Sequence, residues 1–298
     1  MCDEETEQDA LAFKNTFQKT MSRRQFNTLT TGAAAAMLIP GATASQDTAS
    51  VQIVEDDVMV TTPDGTSDCF FVHPSEGRHP GVILWPDIYG LRPSYRTMAK
   101  RLAKSGYAAL VVNPYYRDAR VPVLAEGASL RDPEVRGKIF PMRQKLTPAA
   151  QRSDGRAYVR YLDASDAVDT DRLIGTMGYC MTGSFAMRTA AAEPKRIGAV
   201  ASFHGGGLVT YDDDSPHRSI KESKAAALIV IAENDHEKEP GSQEALRKAY
   251  QRAGLNAEVE VYKGAMHGFC SLDSQAYHEI QAEKAWARLL HMFHRHLI

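Results

Sequence analysis

Cys180 lies in the run Gly178-Tyr179-Cys180-Met181-Thr182-Gly183. A short apolar stretch ends at Gly178, and a helical pattern begins just past the cysteine. A nucleophile on a sharp strand-to-helix turn is written G-x-S-x-G. The turn is strained, needs small flanking residues, and lifts the reactive side chain off the sheet. The helix N-terminus that follows favours negative charge, which draws a thiol toward thiolate. This copy departs from the pattern twice. Cysteine stands in the place of serine, and Thr182 occupies the second glycine position, so that Gly183 arrives one residue late. Taken alone, the run also fits a buried, inert cysteine at a strand end.

A thiol needs a base to ionise near neutral pH, and the base needs a third group to orient it. Asp235 and His267 meet that need in the order nucleophile, acid, histidine, and each follows an apolar run that reads as a strand. Three groups in this order, each just beyond a strand, point to acyl transfer. Cys180 attacks a carbonyl, His267 moves the protons, and Asp235 fixes the imidazole tautomer. Ser184 is a weaker nucleophile candidate, because it falls inside the helix rather than on the turn.

Positioning these groups is a matter of sheet topology. Val51–Val60 and Thr66–Val72 read as a hairpin around Pro63-Asp64-Gly65. Gly81–Trp85, Tyr107–Val112, the run from Leu173, Ile197–Phe203, Ala226–Ala232 and Ala257–Tyr262 read as short buried strands. Helical patterns at Pro93–Lys104, Ala150–Leu162, after Cys180 and at Gln275–Leu297 alternate with them. This alternation predicts an α/β fold with a doubly wound, mostly parallel sheet and N-terminal hairpin strands. Ligands bind such sheets beyond the C-terminal ends of the strands. Residues 118–149 show no clear period and read as a long lid or binding segment.

The first 44 residues read as an address, not as fold. Ser22-Arg23-Arg24-Gln25-Phe26 precedes a weakly apolar Leu29–Ile39 and the small-residue stretch Ala42-Thr43-Ala44. That is a twin-arginine export signal with an acidic, polar extension. It predicts use of the twin-arginine machinery, a periplasmic or extracytoplasmic location, and membrane contact only through an uncleaved signal. Residues 45–298 form the catalytic domain. Cleavage after Ala44 would leave Cys69, Cys180 and Cys270, an odd number that fits a reactive thiol better than a disulfide framework. A Cys180–Cys270 pair stays open at this level. The formal net charge is −2, which points to neither nucleic acid nor an anionic membrane surface. Asp212-Asp213-Asp214 reads as a solvated loop, and the His278-Glu279 start of a zinc motif fails at Ala282.

Gly178-Tyr179-Cys180-Met181, Asn234-Asp235-His236 and Met266-His267-Gly268-Phe269 resemble the motifs of the dienelactone hydrolase family, and Pro86-Asp87-Ile88-Tyr89-Gly90 resembles its loop after the third strand. The resemblance runs from about Val51 to the C-terminus. It implies an α/β-hydrolase fold and a Cys180–Asp235–His267 triad acting on small lactones or esters, with no cofactor and no metal. It implies backbone N–H groups of Met181 and Ile88 as the oxyanion hole. It also implies an acid that helps activate the thiol when substrate binds; the family's glutamate is here Asp87, one methylene shorter. Tyr89 is expected beside the substrate. The family's arginine soon after the catalytic histidine is absent, leaving Arg117 or Arg120 as the anchor for an anionic substrate. Two other readings stand beside the hydrolase: a redox-active thiol protein and a silent binding module on the same fold.

Overall fold

The computed structural model describes residues 51–298 together with Gln8. The export-signal reading and Cys2 therefore lie outside the described residues. Eight strands form one sheet in the order β1-β2-β4-β3-β5-β6-β7-β8. β1 (Ile53–Thr62) and β2 (Gly65–Pro74) make the expected hairpin, and β2 pairs antiparallel with β4 (Ala108–Val111). All remaining neighbours are parallel: β3 (Gly81–Trp85), β5 (Ile174–Tyr179), β6 (Ile197–Phe203), β7 (Ala226–Ala232) and β8 (Ala257–Tyr262).

Every residue of β3, β5, β6 and β7 is buried. Helices cover both faces, which is why these strands read as unbroken apolar runs. On one face α1 (Pro93–Lys104) supplies Tyr95, Met98 and Leu102, and the C-terminal helix supplies Leu289, Phe293 and Leu297. On the other face Tyr158, Phe185 and Leu246 come from three further helices and pack against Ile83, Val200 and Ile229. The edge strand β1 carries exposed Glu55, Asp56 and Asp57, charges that discourage pairing with a further strand.

Three expectations are corrected. Residues 118–149 contain a helix, α2 (Pro133–Gln144), where no period was visible. It buries only Ile139, so its apolar stripe is too thin to register. Asp132 caps it, accepting from the Glu134 N–H at 2.8 Å. After β7 the chain enters a short helix, Glu233–Lys238, instead of a loop. The last helix begins at Glu279, four residues later than expected, with His278 as its cap residue. Gln275–His278 instead makes turns against the loop after β8, where the His278 N–H donates to the Phe269 carbonyl at 3.1 Å. Among the described residues, no helix is long and apolar enough to cross a membrane.

Candidate active site

Among the described residues, Cys180 is one of two non-glycine residues with positive φ, at +57°. An L-residue there is strained, and a nucleophile elbow is where such strain is found. The local sequence makes the turn possible. A Cβ on Gly178 would lie 2.1 Å from the Thr182 carbonyl oxygen, so only glycine fits. Gly183 is needed for a different contact: a Cβ there would lie 2.2 Å from Ser202 Oγ, where the helix Gly183–Ala192 crosses β6. Thr182 does not spoil the elbow. Its buried hydroxyl accepts from the Tyr179 N–H at 3.0 Å and has the Trp85 and Tyr179 carbonyl oxygens at 2.9 Å, one of which takes its proton. The threonine thus ties the turn after β5 to the end of β3. Ser184 is buried in the helix and donates to the Met181 carbonyl at 3.0 Å.

The acid and the imidazole meet as expected. His267 Nδ1 lies 2.9 and 2.8 Å from the two Asp235 oxygens. The His267 backbone N–H donates to Asn234 Oδ1 at 2.8 Å, which fixes the loop after β8 against the end of β7. Burial alone would raise the Asp235 carboxyl, but the charge of the His267 imidazole and its hydrogen bond outweigh that and hold it low. The carboxylate at Nδ1 fixes the orientation of the ring.

Cys180 and His267 are linked through the end of β6. The Gly206 N–H donates to the Cys180 carbonyl at 3.2 Å. His204 stands 6.0 Å from the Tyr179 ring and 4.9 Å from the His267 ring, centroid to centroid. Cys180, Asp235 and His267 each follow the C-terminal end of a strand in the parallel run β5-β6-β7-β8, and so lie at the same end of the sheet. Cys69 and Cys270 are both buried and free. The Cys180–Cys270 pair is therefore not made. Burial pushes the Cys69 thiol up to about 12 and the Cys270 thiol well above its usual range, so both stay protonated.

The loop after β3 closes the other side. Ile88 is buried, and its N–H donates to no acceptor among the described residues. Its carbonyl accepts from Tyr115 Oη at 2.8 Å, and that hydroxyl lies 3.7 Å from Met181 Sδ. The two groups expected to hold an oxyanion, Ile88 N–H and Met181 N–H, therefore belong to segments joined by one tyrosine. Met181 is in the first turn after the elbow, where N–H groups lack helical acceptors. Val123, Leu130 and Ile139 of the long segment pack in the same apolar cluster as Ile88, Cys180 and Met181. Tyr89 is half-buried, and its hydroxyl accepts from the Leu130 N–H at 3.4 Å. The long segment thus packs beside Cys180.

Asp87 is placed differently from expectation. Arg92 holds its carboxylate bidentately at 2.6 and 2.9 Å; the Tyr89 N–H donates to it at 2.9 Å and Ser271 Oγ at 3.4 Å. Arg92 also grips Asp273 at 2.7 and 3.0 Å. Burial alone would lower the Arg92 guanidinium, yet the Asp87 carboxylate beside it raises it well above its usual value. Sequence reasoning missed Arg92: nothing in an arginine before a helix-starting proline marks it as a bridge to residues 181 positions away. Arg117 and Arg120 are both engaged within the protein. Arg117 is bound to Asp64 and Asp154, and Arg120 donates to the Thr66 carbonyl, so both support the hairpin.

With this geometry in view, the family model described as the dienelactone hydrolase family matches residues 68–297. The chain belongs to the dienelactone hydrolase family. It is therefore a hydrolase of the ester and lactone class. A Bradyrhizobium protein named "Probable 2-oxo-3-(5-oxofuran-2-ylidene)propanoate lactonase" is 29% identical over 227 residues, covering 74% of this chain and 86% of that protein. The carboxymethylenebutenolidase of Rhodococcus opacus is 23% identical over 240 residues, covering 78% and 88%. Among solved structures, the dienelactone hydrolase-like promiscuous phosphotriesterase P91 from metagenomic libraries superposes with a TM-score of 0.67 at 21% identity, over 83% of this chain and 99% of that one. This last likeness speaks for the α/β-hydrolase fold.

Proposed function

We propose that the chain cleaves a small carboxylic ester or lactone through a thioester on Cys180. The observation that carries the reading is the elbow: a cysteine at φ +57° at the same end of the sheet as His267, which Asp235 holds by Nδ1. In the reduced enzyme the thiol proton passes to His267 Nε2. The thiolate attacks the carbonyl carbon, and the tetrahedral oxyanion takes hydrogen bonds from Met181 N–H and Ile88 N–H. One such donor typically contributes about 3 kcal/mol of transition-state stabilisation. The intermediate collapses to a thioester, and His267 returns the proton to the leaving alcohol oxygen. Water, deprotonated by His267, then releases the acid. Asp87 can assist ionisation only after Arg92 lets go, and an anionic group on the substrate is the natural competitor for that guanidinium. The natural substrate is thus read as an ester or lactone bearing a carboxylate, with the dienelactone type as one member of that class.

Burst kinetics with p-nitrophenyl acetate on enzyme pre-reduced with dithiothreitol test the scheme. The expected result is a burst matched by an acetyl adduct on Cys180 in peptide mass mapping, with Cys180→Ala and His267→Ala each losing at least about 100-fold in kcat/KM. An adduct elsewhere, or full activity in Cys180→Ala, would remove the cysteine mechanism. The alternative reading is a redox-active thiol at Cys180. Activity unaffected by reduction, together with reversible oxidation of Cys180 by peroxide, would support it.

The export reading extends this proposal. Twin-arginine passage would deliver the folded enzyme to the periplasm. Arg23→Lys with Arg24→Lys should retain it in the cytoplasm; unchanged export in cell fractionation would reject the reading.

A further inference from the structure

His204 carries two costs at one residue. Its backbone sits at φ +40°, the second positive-φ position outside glycine among the described residues. Its side chain is fully buried, and neither ring nitrogen has a hydrogen-bond partner among the described residues. Buried imidazole nitrogens are rarely left unpaired, and an exception calls for an explanation. The surroundings offer one. The ring meets that of His267 in a T-shaped arrangement, with centroids 4.9 Å apart and planes at 63°. Phe269 closes a second side at 5.6 Å, and Tyr179 a third at 6.0 Å. The backbone is anchored independently, since the His204 N–H donates to the Val230 carbonyl at 2.8 Å.

We propose that His204 is a positioning residue for His267: its unpaired imidazole packs against that ring and favours the imidazolium formed when Cys180 gives up its proton. This rests on the triad reading above. The ring C–H groups of an imidazolium are more acidic than those of the neutral ring, and a lone-pair nitrogen is a better neighbour for them than hydrocarbon. The role requires that His204 itself stay uncharged, and burial ensures this by pushing it down to about 3. Other titratable groups facing the pair are Asp235 at the end of β7, Asp87 in the loop after β3 and Tyr179 at the end of β5. Asp235 and Asp87 both favour positive charge here, and His267 opposes a second one on His204.

Alkylation of Cys180 by iodoacetamide in the reduced full-length chain, followed by peptide mass mapping between pH 5.5 and 8, reads the thiolate–imidazolium pair directly. His204→Phe keeps a ring of similar shape and removes both nitrogens. The expected result is an unchanged or higher Tm, an unchanged KM for p-nitrophenyl acetate, and three- to tenfold slower alkylation and acylation. The acid limb of the kcat/KM profile should move to lower pH. Wild-type alkylation, acylation and pH profile in His204→Phe would overturn the proposal, as would a limb moved upward. If that variant does not fold, His204→Asn, whose side chain tolerates positive φ, is read the same way. His267→Ala separates the two readings. If it leaves alkylation unchanged, the triad reading fails and takes this proposal with it. If it slows alkylation while His204→Phe does not, the His204 proposal alone fails.

Discussion

A histidine buried without a charge makes a fold acid-sensitive. His204 is held at about 3, against an ordinary value of 6.5. Between those values the unfolded chain binds a proton that the native chain does not, so stability rises with pH through this window. The contribution is fully present above about pH 6.5 and shrinks as the solution is acidified toward 3. From pH 6.5 to 5 the loss from this one site is about 2 kcal/mol. Urea unfolding at pH 7 and pH 5 checks it: His204→Phe should show a pH dependence flatter by about that amount. Arg92 makes the opposite point. With side chains 18% and 9% exposed, it and Asp87 form a largely buried pair. Removing one partner strands the other, so Arg92→Ala should lower unfolding stability by about 3 kcal/mol, read as a shift in the urea midpoint.

At the level of elements, the elbow is set by space more than by sequence identity. Gly178→Ala places a methyl on the Thr182 carbonyl, and the turn cannot give without moving the helix behind it. The expected cost is about 3 kcal/mol or more, with loss of Cys180 acylation. Thr182→Val removes a buried hydroxyl from the Tyr179 N–H and the Trp85 carbonyl. That should cost about 1–3 kcal/mol and loosen the loop that presents Ile88, seen as a lower kcat with little change in KM. The departure from G-x-S-x-G at Thr182 is therefore a substitute tie between β3 and β5. The spacing showed the departure; only the packing showed its use.

For the whole molecule, the hairpin, the parallel strands and the two helical layers form one sheet whose described part begins at β1 (Ile53–Thr62). Removing residues 1–44 should leave Tm and ester hydrolysis unchanged, a result that thermal unfolding and p-nitrophenyl acetate turnover would check. A loss of stability would mean that the leader packs on the domain.

The strands β3, β6 and β7 matched their sequence readings at both ends, because a strand buried on both faces must be apolar throughout and stop where it meets the rim; the edge strand β8 matched through its alternation, with Val259 buried between half-exposed Glu258 and Glu260. The order of Cys180, Asp235 and His267 was legible for the same reason: each follows such a run. The helix at Pro133–Gln144 was not legible, since one buried residue leaves no period. The partners of Asp87 and the isolation of His204 were not legible either. A charge pair or an orphaned nitrogen is a property of distance between segments far apart in the chain, and neither leaves a pattern in local spacing. Sequence alone determined the sheet, the turn and the candidates for chemistry, because burial and backbone strain restrict residue type position by position. Tertiary structure alone decided which carboxylate each arginine holds and what stands against His267, because those depend on how the ends of separate strands converge.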